Sequence, residues 1–325
     1  MGPRTLVCLF LSTLAAGGVD RHPWSSATRL QTPHYRVETN TWPELARDLG
    51  ATLERARTLF AARFGPLPPA RRAPMRVGLF RGEEDYRRHG GGVRGAVGHF
   101  DAALDRCSIA WDGAASGGGW PVAVHEACHH YLWRLHPDLR LPGWYAEGIA
   151  CYYEGVIGDT SPAALARMRL RAARAALEAG QADLELLLRA RVRVHKGRLS
   201  VTNLPPVRFY GLAWSLVHFL ARDRATRERF RRFELRLLAS RPSPSAAAAR
   251  ARRLLARECG SLSDLQRAWR AHIASLPGPA ALAPRRSGPS TPMWTRLATL
   301  GLALAWDWLL GEPPVKPFNY TYFPT

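Results

Sequence analysis

The chain has 325 residues, 46% hydrophobic and 22% charged, which is enough apolar content to bury a large core and excludes a disordered chain. With 28 Gly, 25 Pro and no short-period repeat, collagen, coiled-coil and solenoid architectures are excluded as well. The formal net charge of +20 raises nucleic acid, an anionic membrane or an acidic substrate as partners. Yet of the 46 basic residues only Lys196 and Lys316 are lysines, leaving 44 arginines. Surfaces that grip phosphate ordinarily mix the two, because Lys also binds phosphate well. The Arg, Ala and Gly excess reads as GC-rich codon usage, and no specific nucleic-acid partner is expected.

Residues 1–19 read as an export leader, with one Arg, an apolar run from Leu6 to Leu14, and small residues from Ala15 to Gly18. The expected location is outside the cytoplasm, in the medium, periplasm or cell envelope of a bacterial-type secreted protein. If the short leader is not a signal, the location is the cytoplasm. Cys8 lies in this leader; Cys107, Cys128, Cys151 and Cys259 permit disulfides without specifying any, and no CxxC pair occurs.

Residues 34–276 read as one α+β domain, strand-rich over 34–113, with helices at 121–155 and an all-helical part over 160–276. HYRVET is a short alternating strand. Over 42–64, Leu45, Leu49, Leu53, Ala56, Phe60 and Phe64 fall on one helical stripe. MRVGLF (75–80) predicts a second strand, EEDYRRH a short helix, and 96–113 two strands joined by a turn. The sheet is expected to be small and mostly antiparallel. Three glycines at 117–119 and Pro121 then open a helix. Further helices are predicted from Ser161 to Gly180 and at 208–222, 225–239, 244–257 and 261–275. A Pro-rich linker (277–292) leads to an apolar tail (293–325). Its run from Leu297 to Leu310 is short for a membrane span, which needs about 20 residues, so a weak membrane contact or packing on the body are both open.

Chemistry concentrates in PVAVHEACHHYLWRL (121–135). His125 and His129 are four apart and so share one helix face, where two neutral imidazoles can hold one Zn²⁺. Glu126 beside them can reach a metal-bound water and take its proton. In LPGWYAEGIACYYEG (141–155), Glu147 follows His129 by 18 residues across a Pro-Gly turn. Two His and one Glu leave one position open for water, the set a catalytic zinc site requires. Val122, Val124, Trp133 and Trp144 would wall the site. Glu154, seven residues past Glu147, either orients a zinc-binding His or caps in solvent. His130 points about 100° away from the ligand face. Cys128 and Cys151 read as small packing residues near the metal face.

VHEACHH, LPGWYAEGIACYYE and FYGLAWSLVHFL (209–220) resemble the gluzincin clan of zinc metallopeptidases, and more narrowly its peptidase-MA-like family, over residues 34 to 275. The resemblance implies a zincin-like fold, zinc held by His125, His129 and Glu147, and Glu126 as general base. It places Tyr210 where many gluzincins keep a tyrosine that stabilises the oxyanion, against the plainer reading of a core aromatic. His218 is either a further oxyanion donor or a buried structural histidine. No GxMEN-like segment precedes His125, so exopeptidase action is not supported. The expected function is zinc-dependent hydrolysis of peptide bonds in a peptide or protein substrate. The alternative is a zinc-binding, non-catalytic scaffold or interaction protein of the same fold. The sequence sets no oligomeric state.

Overall fold

A computed structural model describes residues 7–11, 28–91, 96–111, 120–157, 162–195, 198–240 and 246–277. Among the described residues, short strands alternate with helices before residue 111 and helices dominate after 120. Strand β1 (Val7–Leu11) falls within the stretch read as a leader. β2 (Thr28–Gln31) and β3 (Tyr35–Thr39) form a hairpin, β3 burying Tyr35, Val37 and Thr39 on one face as its alternation requires. Pro43 opens helix α1 (Pro43–Phe64), which buries Leu49, Leu53, Ala56, Phe60 and Phe64 along one stripe and stops at Gly65, at φ +97°. Strand β4 (Met75–Arg81), helix α2 (Gly82–His89) and the hairpin β5 (Ala96–Asp101) and β6 (Arg106–Trp111) follow.

The sheet runs β1-β5-β6-β4-β3-β2. Three of its pairings are parallel, β1 with β5, β3 with β4 and β4 with β6, so it is mixed where the sequence predicts mostly antiparallel pairing. The reason is connectivity. Parallel neighbours need a crossover, and α1 carries the chain from β3 to β4, while α2 and β5 separate β4 from β6. Register places Leu79 beside Ile109 and Phe80 beside Ala110. Leu79 and Ile109 face the main core, whereas Phe80 and Ala110 close a small cluster with Tyr86 of α2, so α2 covers the opposite face.

Helix α3 (Trp120–Leu135) lies between the sheet with α1 on one side and helix α4 (Gly143–Ile157) on the other, and almost every residue in it is buried. Its end is pinned by Arg134, which donates to Asp105 at 2.6 Å and to the carbonyls of Arg71 and Ala73. Helix α5 (Pro162–Glu178), α6 (Leu184–Arg189), α7 (Pro206–Leu220), α8 (Arg224–Ala239), α9 (Ala247–Cys259) and α10 (Leu262–Ser275) complete the described residues. A hairpin of β7 (Val192–His195) and β8 (Arg198–Val201) interrupts this part, correcting the all-helical expectation. VRVH and RLSV alternate at period two, a signal too short to override the surrounding helices.

Helix α7 packs against α4 and α5 through two glycines. A Cβ on Gly148 would sit 2.6 Å from the Ala213 carbonyl oxygen, and one on Gly211 would sit 2.8 Å from that of Arg169. Glu234 of α8 ties the C-terminal helices to the body, accepting from Arg63 of α1 at 2.9 Å and from Tyr145 of α4 at 2.9 Å. Among the described residues, no helix is long and apolar enough to cross a membrane. The linker and tail beyond 277, and most of the leader, lie outside the described residues.

Candidate metal centre

Two helices build the site. One turn of α3 separates His125 from His129, and the Pro142 turn swings α4 back so that Glu147 meets both. His125 Nε2 lies 3.0 Å from His129 Nε2 and 3.2 Å from Glu147 Oε2, and His129 Nε2 lies 3.6 Å from the same oxygen. All three side chains are buried, and together they form a group able to hold a metal ion.

A fourth residue decides which atoms of His125 face this point. Glu154 Oε1 sits 2.6 Å from His125 Nδ1. A carboxylate there accepts the Nδ1 proton and leaves Nε2 carrying a lone pair. That lone pair faces the Glu147 carboxylate and the second imidazole, so electron pairs converge on one point, which favours a cation. Burial by itself would raise the Glu147 carboxyl, but His129 and His125 beside it hold it well below the usual carboxylate range. Burial lowers His129, disfavouring its charged form. For Glu154 burial raises the carboxyl, and Arg169 and His125 bring it below its ordinary value.

Glu126 is wholly buried, with its Cγ against β5. A Cβ on Gly98 of β5 would lie 3.4 Å from Glu126 Cγ and only 2.5 Å from Val122 Cγ1, so strand and helix touch where only glycine fits. Tyr210 of α7 is buried, its ring centroid 6.5 Å from that of His125, and the guanidinium of Arg169 lies 5.1 Å over the tyrosine ring.

The remaining candidates sort by contact. His218 Nδ1 lies 2.8 Å from His272 Nε2 on α10, with its ring against Trp214, which supports the structural reading over the oxyanion one. His130 stacks on Phe100, with Nε2 2.7 Å from Asp105 and Nδ1 3.5 Å from Cys107, as expected for a residue turned off the ligand face. Cys151 Sγ lies 3.9 Å from His125 Nδ1, and with Glu154 it forms a second possible ligand group. That group is the weaker one, because Glu154 already engages His125 and Arg169, and burial pushes the Cys151 thiol up. Cys128 is buried, its thiol also raised by burial, and Cys107, Cys128, Cys151 and Cys259 are all unpaired thiols. Val122, Val124 and Trp144 are buried, Trp144 stacking on Phe233, while Trp133 is half-buried against Phe100.

Sequence reasoning missed Arg169. It is one of four arginines within α5, beside Arg167, Arg171 and Arg174, and in a chain so rich in arginine nothing local distinguishes it. No protein-family model matches this chain, and no curated protein matches it.

Proposed function

We propose that the chain is a zinc-dependent peptidase of gluzincin type, with a zincin-like arrangement of the two site helices beside the sheet. The observation that carries this reading is the spacing of the three donor atoms. Nitrogen and oxygen ligands at about 2.0–2.2 Å from a tetrahedral Zn²⁺ stand roughly 3.3–3.6 Å apart. His125 Nε2, His129 Nε2 and Glu147 Oε2 stand 3.0, 3.2 and 3.6 Å apart, two of these slightly inside that spacing and one at its upper end. The donor set fits as well, with two neutral imidazoles and one carboxylate. Zinc, when bound, supplies Lewis-acid polarisation of water and of the scissile carbonyl.

The protein's own groups do the rest. Glu126 accepts a proton as water oxygen bonds to the carbonyl carbon, then delivers that proton to the nitrogen as the C–N bond breaks. Tyr210 donates a hydrogen bond to the oxygen that gains negative charge. The substrate is a peptide or protein chain.

Full burial of His125, Glu126 and His129 also favours a second reading, a zinc-holding scaffold without catalysis. Against it, the group counts three protein ligands among the described residues, whereas structural zinc sites close with four. Metal analysis and a peptide-library assay on the full chain separate the two. About one zinc per chain is expected, lost in Glu147→Ala. Glu126→Gln is expected to keep the metal and lose turnover by on the order of 10²–10⁴-fold. Zinc-loaded parent protein that cleaves nothing would establish the scaffold, and parent protein without zinc would overturn both readings.

A further inference from the structure

Behind the three donor atoms lies a second layer that joins the two sides of the site. Arg169 is only 3% exposed, unusual for a guanidinium. Its backbone is placed by the α5–α7 crossing, where its carbonyl oxygen would lie 2.8 Å from a Cβ on Gly211, the neighbour of Tyr210. From that point the side chain meets Glu154 and Tyr210. Nη2 lies 3.3 and 3.4 Å from the two Glu154 oxygens, and the guanidinium carbon lies 5.1 Å above the Tyr210 ring. Glu154 in turn accepts from His125 Nδ1 at 2.6 Å. One chain of contacts therefore runs from Tyr210 through Arg169 and Glu154 to His125.

Helix packing alone does not call for this residue. An apolar side chain of similar length would fill the same space without the cost of burying a charge. The guanidinium does two things such a side chain cannot. It donates to a buried carboxylate that also meets an imidazole, and at the same time it lies over an aromatic ring.

We infer that Arg169 is a positioning residue for the metal centre: by holding Glu154 it locks His125 in the Nδ1–H tautomer, and by covering the Tyr210 ring it sets where that side chain stands relative to the ligands. This rests on the zinc reading above.

The test uses the full-length Arg169→Met, Arg169→Gln and Arg169→Lys variants with two readouts besides turnover. The first is zinc affinity by chelator competition, with the visible spectrum of the Co²⁺-substituted protein as the signature of ligand geometry. Removing an outer partner of a metal-binding His weakens metal affinity by about 10–100-fold. That loss and an altered Co²⁺ spectrum are expected for Met and Gln, with partial recovery for Lys, which restores the charge without the flat face. Glu154→Gln combined with Arg169→Met is expected to lose little beyond the worse single change. The second readout is ¹⁵N NMR of His125 in the metal-free protein, expected to show Nδ1–H in the parent and a tautomer mixture in Arg169→Met. Cooperative thermal unfolding shows which variants fold, and Gln carries the test should Met not fold. A folded Met or Gln variant with parental affinity, spectrum and tautomer would overturn the inference. If the parent binds neither zinc nor Co²⁺, the zinc reading fails by itself, and the tautomer measurement still decides whether Arg169 acts on His125.

Discussion

Gly98→Ala tests the contact that sets Glu126, the proposed general base, against the sheet. The added methyl would lie 2.5 Å from Val122 Cγ1, 3.1 Å from Ile109 Cδ1 and 3.4 Å from Glu126 Cγ. The first distance is shorter than carbon atoms tolerate, so either β5 or α3 must move. Overpacking of a buried contact costs roughly 1–3 kcal/mol. In a domain of this size each kcal/mol lowers Tm by about 2–4 °C, so the expected loss is roughly 2–12 °C. Because the nearest atom belongs to Val122, truncating that side chain should open room for the new methyl. Val122→Ala alone leaves a cavity, and Gly98→Ala with Val122→Ala is expected to be more stable than the two separate losses imply, by about 0.5–3 kcal/mol. Thermal or urea unfolding of the four proteins measures that coupling. A neutral Gly98→Ala, or strictly additive losses, would refute the claim that strand and helix meet at van der Waals limit beside Glu126.

Acid should weaken the α7–α10 contact before it reaches most carboxylates. Burial pushes His218 down to about 3, with His272 beside it adding to the effect, and burial together with Arg222 lowers His272 to about 4. The unfolded chain takes up these protons near pH 6.5 and the folded chain does not, so this stability is present above pH 6.5 and lost as pH falls toward about 4 for His272 and about 3 for His218. Urea titrations should show a slope of up to about 1.4 kcal/mol per pH unit per histidine, reduced in His272→Phe; an unchanged slope in that variant would contradict the pairing. Glu234→Ala strands Arg63 and the Tyr145 hydroxyl in the interior, and removing one partner of such a buried pair costs about 3–5 kcal/mol. Glu234→Gln, which retains an acceptor without the charge, is expected to lose clearly less, and equal losses by chemical denaturation would show that hydrogen-bond acceptance alone does nothing to hold α8 to α1 and α4.

The helices were the most legible part of the chain. The α1 stripe repeats over 22 residues, and α7, α8, α9 and α10 lie within a few residues of their predicted spans, because Pro starts, Asp or Ser caps and the apolar period act over one or two turns. Strand pairing was not legible in the same way. Nothing local in MRVGLF says that its partners are β3 and β6 and that both run parallel to it, since that depends on where α1, α2 and β5 carry the chain. The β7–β8 hairpin escaped for a related reason, four-residue strands carrying too few alternations to be told from a loop.

For the candidate centre, the sequence by itself determined the residues with metal-binding chemistry: His125 and His129 one helical turn apart, Glu126 between them, Glu147 after a Pro-Gly turn, and Glu154 seven residues on along the same helix face. Those relations lie within one helix or across one short turn, where covalent geometry leaves little freedom. Only the tertiary structure decided that Glu147 reaches both imidazoles, that Glu154 takes the Nδ1 side of His125, and that His218 turns to His272 instead. It alone singled out Arg169, because an arginine acquires a distinct role only when packing removes it from water and sets it against a carboxylate and a ring.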